Sequence, residues 1–273
     1  MLPFPSRLLF CAGLLLAPLL APTTAQGQTN AIPDPKTGTW HVATVVLPGG
    51  PKHWGGYAEV QTRSNSLFRQ YFYTELKGGV SYDVAKNFTL MLAGGRYSTA
   101  DYRDLSAGPL NVERRLWQQL TLTQFAARLK LEHRYRMEER WYRFRDNVVP
   151  AGSSRYRTRM RYRFNTFLPL NRPTFTDKTA FLSVYDEVFF NPRGPFFERN
   201  RLYAGVGYQF DKHWTVQGGW LNQANYTPAN YRQNVFTPQT TVAKNNVVLS
   251  VIYRLGRPAT ATASPEYVPS QPD

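Results

Sequence analysis

The densest chemistry in this sequence is a pair of basic ladders. Arg155, Arg157, Arg159, Arg161 and Arg163 occupy every second position, and Arg128, Lys130, Arg134 and Arg136 share a second alternation with Glu132 and Glu138. Guanidinium groups so spaced are suited to holding carboxylate or phosphate through paired N–H bonds, as charges that do not titrate. They are also expensive to bury without partners. Glu75 and Glu187 offer acidic partners from other segments, as does Glu59, while Lys77, Arg201 and Arg254 add further cations. The ladders alone carry nine basic side chains, more than these carboxylates neutralise. Such ladders either close on an Arg–Glu network or draw in a small anion or acidic solute.

Other residue types capable of chemistry carry weaker patterns. His133 falls on an apolar face, where a His and a hydroxyl together could hydrolyse lipid, but the nearest hydroxyl on that face, Thr158, lacks an orienting partner. No catalytic residue is assigned. His41, His53 and His213 stand alone without metal-ligand spacing, so no metal site is expected. The run Ala204-Gly205-Val206-Gly207 precedes no helix, so it reads as close packing within a strand, and no cofactor is implied. The net charge of +15 would suit nucleic acid, yet these charges alternate along strands of an exported barrel, so nucleic acid is not an expected partner.

The elements that must position the ladders are strands. Beyond residue 26 no window sustains helical spacing of apolar residues, whereas period-2 alternation recurs from about residue 40 to 255. In residues 71–84, Phe72, Thr74, Leu76, Val80 and Tyr82 share one face, and Tyr73, Glu75, Lys77, Ser81 and Asp83 the other. Residues 128–138 and 155–168 alternate in the same way, with Leu131, Tyr135, Met160 and Phe164 opposite the charges. The strands run ten residues or more, near what a tilted membrane strand needs. Tight connections at 83–87, 124–127 and 211–213 alternate with long ones at 99–112, 139–154, 191–197 and 223–243, as in outer-membrane barrels. Tyr82, Phe88, Phe210 and Trp214 gather at tight turns, where an aromatic girdle belongs.

These features predict an all-β chain forming an antiparallel transmembrane β-barrel of 10 to 12 strands. Ten strands are counted from about residue 54, with even parity and with every short turn on the side of both termini. Residues 40–47 are then left over, as an eleventh segment with an undetected partner or as a piece packed in the lumen. Residues 1–25 read as an export signal: Arg7 is the only charge, and the apolar run 8–20 is shorter than the ~20 residues a spanning helix needs. Thr23 and Ala25 place the cut before Gln26 and remove Cys11, the one cysteine. A lead-in follows at 26–38, the barrel at 39–256 and a disordered Pro/Ala/Thr/Ser tail at 257–273. The expected location is the outer membrane, with its lipid and the barrel-assembly machinery as partners.

The stretch Asn200 to Tyr208 reads N-R-L-Y-x-G-x-G-Y, preceded by Tyr185-Asp186-Glu187, the arginine strand 155–163 and Trp40. This pattern, over roughly residues 38–256, resembles a bacterial family known only as domain of unknown function 2490. The resemblance implies an uncharacterised outer-membrane barrel and carries over no activity or catalytic residue. The expected role is a porin-like one, a narrow anion-selective passage or an anion-binding barrel lined by the arginine ladders. The alternatives are a closed structural barrel, a lipid-modifying enzyme, or a soluble secreted β-protein with an apolar ligand.

Overall fold

The computed structural model describes residues 30–33, 36–150, 153–232 and 235–256. The expected export signal at 1–25 and the expected tail at 257–273 lie outside the described residues. The alternating segments form β1 (Asn30–Pro33), β2 (Gly38–Leu47), β3 (Trp54–Ser66), β4 (Arg69–Ala85), β5 (Phe88–Ala100), β6 (Pro109–Ala126) and β7 (Leu129–Phe144). After them come β8 (Tyr156–Pro169), β9 (Thr179–Phe190), β10 (Phe197–Gln209), β11 (Trp214–Thr227), the short β12 (Asn230–Arg232) and β13 (Val235–Thr237), and β14 (Thr240–Arg254).

From β2 to β11 each strand pairs antiparallel with the next, and β11 then pairs with β14, the two-stranded β12–β13 ribbon lying in the connection between them. The sheet closes where β14 meets β2, from Asn246 opposite Gly38 to Arg254 opposite Val46. The ring therefore has eleven strands. With an odd number of alternating strands the first and last must run the same way, and β2 and β14 are indeed parallel. Residues 40–47 thus form the eleventh strand with no twelfth, and the even parity expected from sequence does not hold. β1 extends the same seam, pairing parallel with Thr240–Ala243.

Odd parity also separates the ends of the ring: β14 finishes among the short turns, whereas β2 starts at the opposite, long-loop end. Both termini on the short-turn side, as expected, is therefore corrected. Three connections break the short–long alternation. The two-residue turn 67–68 lies at the long-loop end, and the six-residue segment 48–53 and the nine-residue segment 170–178 lie at the short-turn end.

The wall is inverted relative to a soluble protein. Leu76, Val80, Leu92, Met137, Met160 and Val206 are exposed, while Glu187, Arg163, Trp117 and Phe189 are fully buried inside the ring. Glycines make room for the interior rings. A Cβ on Gly205 or Gly219 would come within 2.6 Å or less of the Tyr203 phenol, so the glycines near the N-R-L-Y motif serve packing, as their strand setting predicts.

Candidate functional site

On β7, Lys130, Glu132, Arg134, Arg136 and Glu138 face inward and are buried, as are Arg159, Arg161 and Arg163 on β8. Register sets Arg134 against Arg163, Arg136 against Arg161 and Glu138 against Arg159. Two facing arginine pairs would repel. Carboxylates from the same and neighbouring strands offset this. Glu138 accepts from Arg159 Nε and Nη2 at 2.9 and 2.5 Å and from Arg161 Nη1 at 2.8 Å. Glu187 accepts from Arg161 Nη2 at 2.7 Å and Arg134 Nη2 at 2.5 Å, with Arg201 Nη1 at 3.4 Å. Arg161 therefore bridges two glutamates. Arg136 donates twice to Gln119, at 2.9 and 2.7 Å. Aromatic faces take part of the remaining charge: the Phe189 ring lies 4.6 to 4.9 Å from Arg159, Arg161 and Arg201, and Tyr185 lies 4.9 Å from Arg163.

Elsewhere in the lumen, Glu75 meets Lys77 at 2.9 Å and Arg63 at 3.5 Å, and Glu132 meets Lys130 at 3.5 Å. Three ladder residues are placed differently from the expectation. Arg128 is exposed ahead of β7 and donates to the carbonyls of Pro169 and Arg172, each at 2.8 Å. Arg155 is exposed ahead of β8 and donates to the Asn147 carbonyl at 2.7 Å. Both continue an alternation past the end of the strand that gives it meaning, so neither reaches the lumen. Arg157 lies at the mouth, its side chain 31% exposed, 3.6 Å from Glu198.

The two ends of the lumen differ. At the short-turn end the segment 170–178 folds inward and buries Phe175 against Phe167 and Phe181, with ring centroids 6.5 and 5.7 Å away. The bonds from Arg128 to Pro169 and Arg172 hold this segment in place. Lys130 lies 5.0 Å from the Phe167 ring, on the interior side of the cluster.

At the long-loop end the packing opens into a polar pocket of about 270 Å³. Arg63, Arg115, Arg161, Arg199 and Arg201 line it against only Glu75 and Glu113. Both carboxylates are engaged: Glu75 as above, and Glu113 by Arg115 and Arg140, each at 2.5 Å. Arg115 also lies 3.5 Å over the Tyr97 ring. Arg199 differs from the rest. Its Nε donates to Asn225 at 2.6 Å and its guanidinium lies 5.5 Å from Phe189, but among the described residues it makes no ion pair. The pairing shifts between Phe197 and Arg199, and at this irregularity Glu198 comes within ion-pair reach of the interior Arg140, at 3.8 Å, beside Arg199 in the pocket wall.

Glu113 and Arg115 are legible in the sequence, since they lie on the inward parity of β6 opposite Leu116 and Leu120. Arg199 is legible too, on the inward parity of Arg201 and Tyr203, whereas Glu198 reaches the lumen only through the shift in register. His133 bonds through Nδ1 to the Tyr162 hydroxyl at 2.9 Å, and it pairs with Phe164, six positions along β8 from Thr158. Those two side chains therefore form no dyad. Among the described residues no three His, Cys, Asp or Glu side chains are grouped to hold a metal ion.

A family model described as "Protein of unknown function (DUF2490)" matches residues 37–234. The chain belongs to this family. The match takes in both ladders, the N-R-L-Y motif and the whole pocket lining. No curated protein matches the chain. Among solved structures it is similar to the siderophore receptor PirA from Pseudomonas aeruginosa, at 12% identity and a TM-score of 0.24, covering 69% of this chain and 42% of that one.

Proposed function

We propose that this member of the DUF2490 family is an outer-membrane barrel that binds a small anion, a carboxylate or phosphate, in a blind pocket at its long-loop mouth. The membrane setting is supported by the inverted wall, apolar outside and charged inside, and by strands of 10 to 18 residues around the ring. The observation that carries the binding role is the charge of the pocket. Five arginines face two glutamates that are already engaged, and Arg199, with Glu198 nearby but shared with Arg140 and Arg157, makes no ion pair among the described residues. An anion bridging Arg199 and its neighbours would supply the missing partner.

A through passage has less support. The ring is filled by Trp117, Arg159, Arg163, Tyr203 and Phe189, and Phe175 covers its far end. The reading is of a binder, since the hydroxyl–carboxylate pair in the lining, Tyr73 to Glu75 at 3.0 Å, shares its carboxylate with Lys77 and Arg63.

Calorimetric titration of the detergent-solubilised protein with inorganic phosphate tests this. Wild-type protein should bind, and Arg199→Gln should weaken binding by about tenfold or more, the loss of one charge-assisted contact. Arg157→Gln, at the same mouth but already paired with Glu198, should change it little. Equal binding by the Arg199→Gln protein would rule out the pocket. Protein that stays monodisperse without detergent would rule out the membrane.

A further inference from the structure

A second set of arginines faces outward. Arg96 on β5 and Arg114 on β6 are directly opposed across an antiparallel pair, both exposed, and neither has an ion pair or hydrogen bond among the described residues. Like charges in this arrangement repel unless an anion sits between them. Their row of the sheet is specific: it runs from Leu76 through Arg96 and Arg114 to Trp141 and Tyr156, each partner set by register. Trp141 and Tyr156 are exposed on the outer wall with ring centroids 5.7 Å apart, the pairing expected at a membrane boundary. The opposite boundary is marked by Trp54 and Tyr82, 5.1 Å apart, near the short turns.

Between the two boundaries the outer wall is hollowed. A trough of about 740 Å³ crosses the same strands, lined by Leu90, Leu92, Leu120, Tyr135, Met137 and Met160. One outward row separates it from the arginines, and on β4 and β5 that row consists of Gly78 and Gly94, so no side chain divides the trough from the charges there. The acidic group in this row is Glu139, opposite Leu116 and Thr158, and among the described residues it makes no ion pair.

We infer that Arg96 and Arg114 bind the phosphate of an outer-leaflet lipid whose acyl chain lies in the trough below. Charge complementarity selects the head group, since two unpaired guanidinium groups match phosphate oxygens in number and geometry. The trough selects a lipid over a free ion, because it places apolar surface directly beneath the charges. This inference rests on the membrane reading but is independent of the lumenal pocket, which lies on the other side of the wall.

The test is native mass spectrometry of the full protein released from detergent micelles with diphosphoryl lipid A or with its dephosphorylated form. Wild-type protein should retain the phosphorylated lipid at least about tenfold more strongly. The Arg96→Gln/Arg114→Gln double variant should lose that preference, and Arg103→Gln, in the connection at the same end, should keep it. A shift in gel mobility on heating verifies that each variant is folded. Three results would overturn the inference: equal retention of both lipids, unchanged preference in the double variant, or displacement of the lipid by inorganic phosphate at equal concentration, which would make the trough irrelevant. If the protein requires detergent and one of these occurs, only this inference falls; if it needs no detergent, the membrane reading falls with it.

Discussion

Arg114 and Arg115 are adjacent in sequence and opposite in circumstance. Arg115 points inward, with Glu113 at 2.5 Å and the Tyr97 ring 3.5 Å beneath it. Arg114 points outward, opposite another arginine and without a carboxylate among the described residues. The same side chain is a structural group on one face of β6 and an unsatisfied one on the other. The comparison teaches that arginine content does not reveal function in this barrel; the number of partners at each guanidinium does. In the lumenal pocket, Arg199 likewise makes no ion pair among the described residues, although its Nε bonds Asn225.

The sharpest way to break this contrast is to remove a shared interior carboxylate. Glu187→Gln leaves Arg134, Arg161 and Arg201 without their common acceptor and should destabilise the barrel by about 3–5 kcal/mol. Urea unfolding in lipid, followed by tryptophan fluorescence, measures the loss, and an unchanged midpoint would mean that the interior is wet enough to screen the arginines. Placing a charge where the wall should touch lipid comes next: Leu92→Arg should cost about 2–4 kcal/mol by the same assay. The neighbouring pair gives a smaller effect. Arg115→Gln should cost about 1–3 kcal/mol, because Glu113 keeps only Arg140, while Arg114→Gln should stay within about 0.5 kcal/mol.

The smallest effect lies in a turn. Asp211, at the tight turn between β10 and β11, accepts hydrogen bonds from the backbone N–H groups of Trp214 and His213, both at 2.7 Å, which hold its carboxyl below the usual range. A group whose folded-state pKa is depressed contributes fully above its unfolded value and loses that contribution as pH falls through the folded one. Stability should therefore decline slightly below about pH 5, and Asp211→Asn should flatten that part of the profile.

Much of the architecture is legible in the sequence because alternation reports which face each residue takes. Lys130 to Glu138 and Arg159 to Arg163 lie where that parity puts them. It fails at strand ends, where Arg128 and Arg155 continue the pattern in sequence but not in space. It fails again at Glu198, where a shifted register turns an even-numbered side chain of β10 toward the lumen. The partner of β2 escapes detection because it lies about two hundred residues away in a parallel pairing, with no turn to announce it. The pairing of the interior charges is hidden for a related reason. Glu113 and Glu198 neutralise arginines on strands other than their own, and one-dimensional spacing does not report such contacts.

The parallel seam constrains how such a barrel could have arisen or could be enlarged. Barrels grow by duplicating hairpins, and a hairpin adds two strands. Starting from eleven, every such duplication gives another odd ring and preserves the parallel closure of β2 against β14. An even ring is separated from this one by the gain or loss of a single strand, which also moves one end of the chain to the opposite end of the barrel. Parity and terminal topology are therefore linked, and a barrel with an antiparallel closure would differ from this one in both at once.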